Sequence, residues 1–422
     1  MSVAPTLAYA RGRDQADALR SFRGRFALPH DARGSELLYL CGHSLGLAPL
    51  EARALVNEEL DAWAALGALG HETGRRPWIE YHHHLSRGLA SLTGANAGEV
   101  AAMNSLTVNL HLMLASFFRP QGARRKILIE TGAFSSDRHA VTSQLIWHGL
   151  DPRVDLIELA PDDGPDLVSH EAIEACLQRN AGEIALVLWP GVQFRTGQAF
   201  DLARIVRAAR RAGCVAGFDL AHSIGNVPLA LHASDADFAV WCGYKYLNAG
   251  PGAIGGCFVH ERHGSSRDRL SGWWGHELAT RFRMEPHFLP APGVEGWQIS
   301  NPPILAAAPL IASLALFQEA GIERLRAKSI ELTGYLDFLL ARMGAAVQRV
   351  TPAQPHERGC QLSIRIVEAN GRRVFDWLGE RGVVCDWREP DVIRVAPVPL
   401  YNRFEDVFHF AELLTQALQE SK

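Results

Sequence analysis

The chain has 422 residues, 47% of them hydrophobic and 21% charged, with a formal net charge of −4 at pH 7. That size and apolar content suit an ordinary globular protein of two domains. The near-balanced charge gives no bulk attraction for nucleic acid or an anionic membrane, so the expected partner is a small molecule.

In chain order, Met1 to Ala10 lack a basic region followed by an apolar run, and no later apolar stretch is long enough to span a bilayer, so the expected location is cytoplasmic. Glu36 to Cys41 is a short strand-like run, and Pro49 to Leu66 shows helical spacing of Leu50, Ala54, Leu55, Leu60 and Trp63. From about Val100, helical segments alternate with unbroken apolar runs: Lys126 to Ile129, Ile184 to Leu188, Val215 to Phe218, Phe238 to Trp241 and Ile254 to Val259. Runs of this kind predict a mostly parallel sheet buried on both faces by helices, the α/β class. Ala306 to Ala320 and Arg324 to Met343 predict two helices. Gln361 to Ile366 and Val392 to Val395 then supply strands, and Phe404 to Leu418 a last helix. The expected organisation is an N-terminal arm (1–48), a large domain (49–305) and a smaller α+β C-terminal domain (306–422). Seven scattered cysteines (Cys41, Cys176, Cys214, Cys242, Cys257, Cys360 and Cys385), without a CxxC pair, read as reduced core thiols.

Asp219 closes the run Val215 to Phe218, and Lys245 follows the run Phe238 to Trp241, so both side chains are expected at the ends of neighbouring strands. In open α/β sheets, ligand sites form beyond the carboxyl ends of strands. A lysine and an acid delivered there meet the needs of pyridoxal phosphate: an amine to form the imine, and a carboxylate to keep the ring nitrogen protonated. Taken alone, Lys245 reads as a solvated loop lysine and Asp219 as a helix cap. The setting Trp241-Cys242-Gly243-Tyr244-Lys245-Tyr246-Leu247-Asn248-Ala249-Gly250-Pro251-Gly252 argues otherwise, because aromatic side chains press on the lysine and glycines permit close backbone approach. His222 falls where it can reach the carboxylate or the cofactor.

Ordered motifs run from Leu38 to Phe410: Gly42-His43-Ser44-Leu45-Gly46-Leu47, Gly70-His71-Glu72, Arg76-Pro77-Trp78, Met103-Asn104-Ser105-Leu106-Thr107, Gly217-Phe218-Asp219-Leu220-Ala221-His222, Gly272-Trp273-Trp274-Gly275-His276-Glu277 and Arg394-Val395-Ala396-Pro397. With them the chain resembles the kynureninase family, of the fold type I, aspartate-aminotransferase superfamily. The resemblance implies pyridoxal 5'-phosphate and hydrolytic Cβ–Cγ cleavage of L-kynurenine or 3-hydroxy-L-kynurenine. It also implies a homodimer with shared active sites.

Carried over residue by residue, the resemblance makes Leu106 and Thr107 phosphate contacts, at a helix N-terminus that offers free amides to an anion. Phe134 matches the aromatic that stacks on the ring, and Ser135, Ser136, Asp137, Asp219, His222, Tyr244 and Lys245 complete the near side of the cofactor. Trp273 and Asn301 match contacts that reach the phosphate from the partner subunit. Arg394 resembles the arginine that grips the substrate carboxylate. Ser44, His71 and Asn301 fall near the substrate, and His71, Ser300 and Asn301 resemble the set that favours a 3-hydroxylated ring. Lys245, Tyr244 and Asp219 carry the catalytic roles, with Tyr244 the candidate to move a proton near Cβ. Pro190 stands where the family often has a serine.

Other readings compete. Gly42-His43-Ser44-Leu45-Gly46 fits the GxSxG elbow of serine esterases, although a single strand-like run precedes it and Pro49 follows closely. A cysteine desulfurase would need a reactive cysteine such as Cys360 on a mobile loop, and an aminotransferase or a non-enzymatic binding protein are further alternatives. His82-His83-His84 suggests metal, but adjacent helical residues point apart, so no metal is expected.

Overall fold

Seven strands form the central sheet of the computed structural model, which describes residues 3–266 and 268–420. They are β1 (Val100–Ala102), β2 (Lys126–Glu130), β3 (Leu156–Leu159), β4 (Ile184–Pro190), β5 (Val215–Asp219), β6 (Phe238–Trp241) and β7 (Gly256–Val259). Their spatial order is β1-β7-β6-β5-β4-β2-β3, and β7 alone runs against its neighbours. The mostly parallel α/β sheet expected from the apolar runs is therefore present. Met1, Ser2, Arg267, Ser421 and Lys422 lie outside the described residues, among them the ends of the expected first and last segments.

The strands lack polar alternation because both faces are covered. Ile127 and Ile129 of β2 pack with Leu186, Leu188, Phe238 and Val240 under the helices Leu106–Phe117 and Ser135–Trp147. Leu128, Val187, Trp189, Phe218 and Trp241 point the other way, into a core shared with the helices Leu202–Ala212 and Ile304–Ala320. Each such fully buried large apolar side chain contributes roughly 1.5–3 kcal/mol.

A second, antiparallel sheet comprises β8 (Val347–Arg349), β9 (Leu362–Ile366), β10 (Asp386–Arg388) and β11 (Val392–Val395), in the order β8-β9-β11-β10. Helices Ile322–Ala341, Gly371–Glu380 and Phe404–Glu420 cover it. The N-terminal arm docks here, with Ala10 and Leu40 in this second core and Leu38–Tyr39 pairing in parallel with Val383–Val384.

The helix Ile322–Ala341 bridges the two cores, with Leu325 in the first and Leu332 to Leu340 in the second, whereas the buried residues of Ile304–Ala320 lie in the first. The boundary expected at 305/306 thus detaches a helix that belongs with the first core. Ile304–Ala320 is apolar along almost its whole length because it is wedged against the helices Leu50–Leu66 and His83–Thr93. Among the described residues no single helix is long and apolar enough to cross a membrane.

Candidate active site

The carboxyl ends of β2, β4, β5 and β6 open onto one cavity, at the point where the strand order reverses between β2 and β4. Asp219 is the last residue of β5. Lys245 follows β6, the parallel neighbour of β5, so register alone brings the two to the same cavity. Lys245 Nζ lies 3.1 Å from His222 Nε2, with the rings of Phe134 and Tyr244 at 5.7 and 5.8 Å.

The lysine loop is held by its backbone. Asn248 adopts φ 53° and closes Asn248 N–H onto the Lys245 carbonyl at 2.9 Å, while its side-chain amide donates to the Tyr246 carbonyl. Gly46 N–H donates to the Tyr244 carbonyl at 2.8 Å, and a Cβ at Gly46 would collide with Asn248 and the Lys245 carbonyl. Gly46 therefore seats the arm on the lysine loop, while Gly42 lets the arm close on Tyr401 and Val398. Ser44 sits in this arm, ahead of the large sheet and at no strand-to-helix turn, which removes the esterase reading.

Opposite the lysine, the helix Leu106–Phe117 points its N-terminus at the cavity, and Ser105 makes no side-chain cap there, so first-turn amides stay available to an anion. Thr107 Oγ1 and Ser136 Oγ are 2.6 Å apart, from two separate helix starts. Gly255 lets the start of the first of these helices approach the end of β6, because a Cβ there would lie 2.8 Å from the Trp241 carbonyl and 3.2 Å from Leu106 N. Pro190 closes β4 and lines the cavity without an N–H to offer.

Three carboxyls line the floor: Glu130, Asp137 and Asp219. Asp219 accepts from Ala221 N–H at 2.7 Å. Burial, and then the Asp219 charge, push the Asp137 carboxyl well above the usual range, and its Oδ1 has no hydrogen-bond partner. His222 Nδ1 is likewise buried and unpartnered; burial and the nearby Lys245 charge hold the ring neutral. Sequence reasoning missed Glu130, which closes β2 and accepts from Gln193 Nε2 at 3.3 Å.

Burial pushes the Glu130 carboxyl up to about 8, against 4.5 for a free glutamate. Between those values the folded state holds a proton that the unfolded state has released, so this group's contribution to stability falls as pH rises. Glu130→Gln mimics the neutral acid and removes that dependence. The Tm of the variant apoenzyme minus that of the wild type should therefore grow from about pH 5 to about pH 9. A difference independent of pH would rule out the buried neutral acid.

Arg394, on β11, lies behind Phe194, whose ring lines the cavity and whose carbonyl accepts from Arg394 Nη1 at 2.7 Å. Burial lowers this arginine to about 10. Like Arg394, five other expected contacts do not line the cavity, Ser44 of the arm among them. Ser135 is exposed at the start of its helix; His71 is exposed, edge-on to Trp78 at 5.3 Å; Asn301 is exposed; and Trp273 is 47% exposed, its indole N–H donating to the Arg281 carbonyl at 3.1 Å.

His82 and His83 do not point apart as expected. At the start of their helix both face Glu295 Oε1, at 3.6 and 2.7 Å. His83 Nε2 is hydrogen-bonded to Glu295, and that bond raises the His83 ring above its ordinary value, so the pair reads as a tie between two segments. Cys360 is fully buried beside Tyr246, and burial pushes its thiol up to about 12, which disarms it as a nucleophile.

Solved structures of the same shape include a cystine C–S lyase, C-DES, complexed with cysteine persulfide (TM-score 0.77, 19% identity, covering 90% of this chain and 97% of that one). Another is the cysteine desulfurase CsdA from Escherichia coli (TM-score 0.77, 17% identity, 96% and 99%). The architecture is fold type I, shared with a C-DES variant that carries glycine covalently linked to its PLP cofactor. The kynureninase C-terminal domain family matches residues 325–414. Kynureninases of Xanthomonas euvesicatoria pv. vesicatoria (strain 85-10) and Xanthomonas oryzae pv. oryzae (strain PXO99A) are each 58% identical to the chain, over 409 and 407 residues and 96% of both proteins. The chain belongs to the kynureninase family.

Proposed function

We propose that the chain is a hydrolase that cleaves the Cβ–Cγ bond of L-kynurenine, or of its 3-hydroxy derivative, releasing anthranilate or 3-hydroxyanthranilate and L-alanine. The observation that carries the reading is the meeting of Lys245, Asp219 and a free helix N-terminus at one cavity, in a chain 58% identical to kynureninases across 96% of its length. The cavity fits pyridoxal 5'-phosphate. Its buried unpartnered atoms, Asp137 Oδ1 and His222 Nδ1, await polar partners, and Thr107, Ser136 and the helix amides suit a phosphate.

When bound, the cofactor supplies an aldehyde for attachment of an amine and a ring that accepts the electron pair released at the substrate Cα. Asp219 would hold a proton on the ring nitrogen of the bound cofactor, and Phe134 would supply an aromatic wall to its ring. Lys245 holds the cofactor between turnovers, then takes the Cα proton and returns it. Burial keeps Tyr244 protonated, so it is a proton donor placed for Cβ. Arg394 fixes the substrate carboxylate with a planar pair of donors. Water adds at the γ-carbonyl, and the aryl carboxylate leaves before alanine.

Trp273 and Asn301 serve the site of a second copy. The segment carrying Trp273 exposes Leu270, Phe282, Met284 and Leu289, an apolar surface that suits burial in a homodimer. Mixing inactive Lys245→Ala chains with inactive Trp273→Ala/Asn301→Ala chains should restore about a quarter of wild-type activity, one intact site in each hybrid dimer. Absence of any recovery after subunit exchange would contradict shared sites. A reducing, cytoplasmic setting suits the seven unpaired thiols. An anthranilate fluorescence assay run with each substrate fixes the preference between them.

A further inference from the structure

Arg394 is 1% exposed; its Nη1 donates to the Phe194 carbonyl, its Nη2 stands in ion-pair contact with Asp386 Oδ2, and its Nε is buried without a hydrogen-bond partner. Asp386 and Arg394 are direct cross-strand partners on β10 and β11, so register sets the pairing. The same Asp386 oxygen has a second cation, since Arg388 Nε donates to Oδ2 at 3.0 Å. Arg388 is two residues along β10 and therefore on the same face of the strand. The three side chains grade outward, with Arg394 at 1%, Asp386 at 20% and Arg388 at 35% exposure. His43, fully buried, faces Asp386 Oδ2 from 3.6 Å with neither ring nitrogen hydrogen-bonded.

A bidentate grip on a substrate carboxylate needs Arg394 Nη2, which Asp386 holds. Two carboxylates on one guanidinium would repel each other. A buried guanidinium left without a counter-charge would be strongly destabilising, so some anion must stand there when the site is free. We propose that Asp386 is a built-in stand-in for the substrate's α-carboxylate: it neutralises Arg394 in the free enzyme and transfers to Arg388 when the carboxylate arrives. The inference rests on the reading of Arg394 as the carboxylate site. Its consequence is that binding is an exchange of ion pairs, so the product L-alanine is held less tightly than a free buried arginine would hold it, and leaves.

The probe is L-alanine binding to the holoenzyme, measured by calorimetry. Asp386→Asn removes the competitor and should tighten binding roughly three- to fivefold, the scale of one partly exposed ion pair. The KM for L-kynurenine should fall by the same factor while kcat does not rise. Arg388→Gln removes the parking place and should weaken alanine binding, but the same change made in the Asp386→Asn background should have no further effect. Asp386→Ser, smaller and equally neutral, must move the affinity in the same direction as Asp386→Asn. The proposal is overturned if Asp386→Asn weakens alanine binding or leaves it unchanged, as a purely structural pairing would. Equally, it fails if the Arg388→Gln loss persists in the double variant, which would mark Arg388 as acting on the ligand directly. Arg394→Ala tests the underlying reading separately: if alanine still binds it with wild-type affinity, the carboxylate site lies elsewhere.

Discussion

Lys245→Ala should turn over L-kynurenine at less than about a thousandth of the wild-type rate, because the residue that attaches the cofactor and moves the Cα proton is gone. The fold should survive. The loop is held by the Gly46 N–H on the Tyr244 carbonyl, the Asn248 N–H on the Lys245 carbonyl and the Asn248 side chain, none of which uses the lysine ammonium. Borohydride reduction of the wild-type holoenzyme should leave the cofactor fixed to the peptide containing Lys245 and should leave none on the variant. Normal turnover by Lys245→Ala would require a different attachment point and a different reading of the cavity.

Asp219→Asn should lower kcat about a hundred- to a thousandfold, the scale of losing one preorganised electrostatic contact. Asparagine can still accept from Ala221 N–H, the bond Asp219 makes at 2.7 Å, so the turn into His222 is retained and the charge alone is removed. Without that charge the ring nitrogen is not kept protonated and the electron sink weakens. Cofactor absorbance should show the site still loaded, which separates a chemical loss from an empty enzyme. A kcat within about threefold of wild type would mean that another group carries the ring proton.

How much of this site was legible in the sequence depends on distance along the chain. Asp219 and Lys245 could be placed because each ends or follows an unbroken apolar run, and parallel neighbours put such ends side by side. Glu130 escaped notice because a glutamate after Lys126 to Ile129 reads as the strand's polar boundary. Its partner Gln193 is 63 residues away and reaches it only through the β2–β4 pairing. Asp386 was equally hidden, since β10 is three residues long and its pairing with Arg394 exists only across the second sheet.

The same limit applies to packing. Ile304–Ala320 was recognisable as a helix, but nothing local says that it belongs with the first core and not the second. Gly255 sat in a strand-like run and Gly46 in a short motif, and their need for a missing Cβ is visible only with the helix and the lysine loop that approach them in place. His82 and His83 converge because they sit at the first turn of their helix with Glu295 arriving from a distant segment, a meeting that spacing within the helix cannot foretell. The resemblance supplied Phe134, Thr107 and Ser136, which the structure brings to the cavity. It also supplied His71, Trp273 and Asn301, which are exposed and do not line the cavity.

The most direct test of the central claim is the product balance with L-kynurenine. Purified holoenzyme should convert it to anthranilate and L-alanine in equal amounts, measured by fluorescence and by amino-acid analysis of the same sample. Consumption of L-kynurenine without equimolar alanine, or accumulation of its α-keto product, would contradict Cβ–Cγ hydrolysis at the cavity built around Lys245.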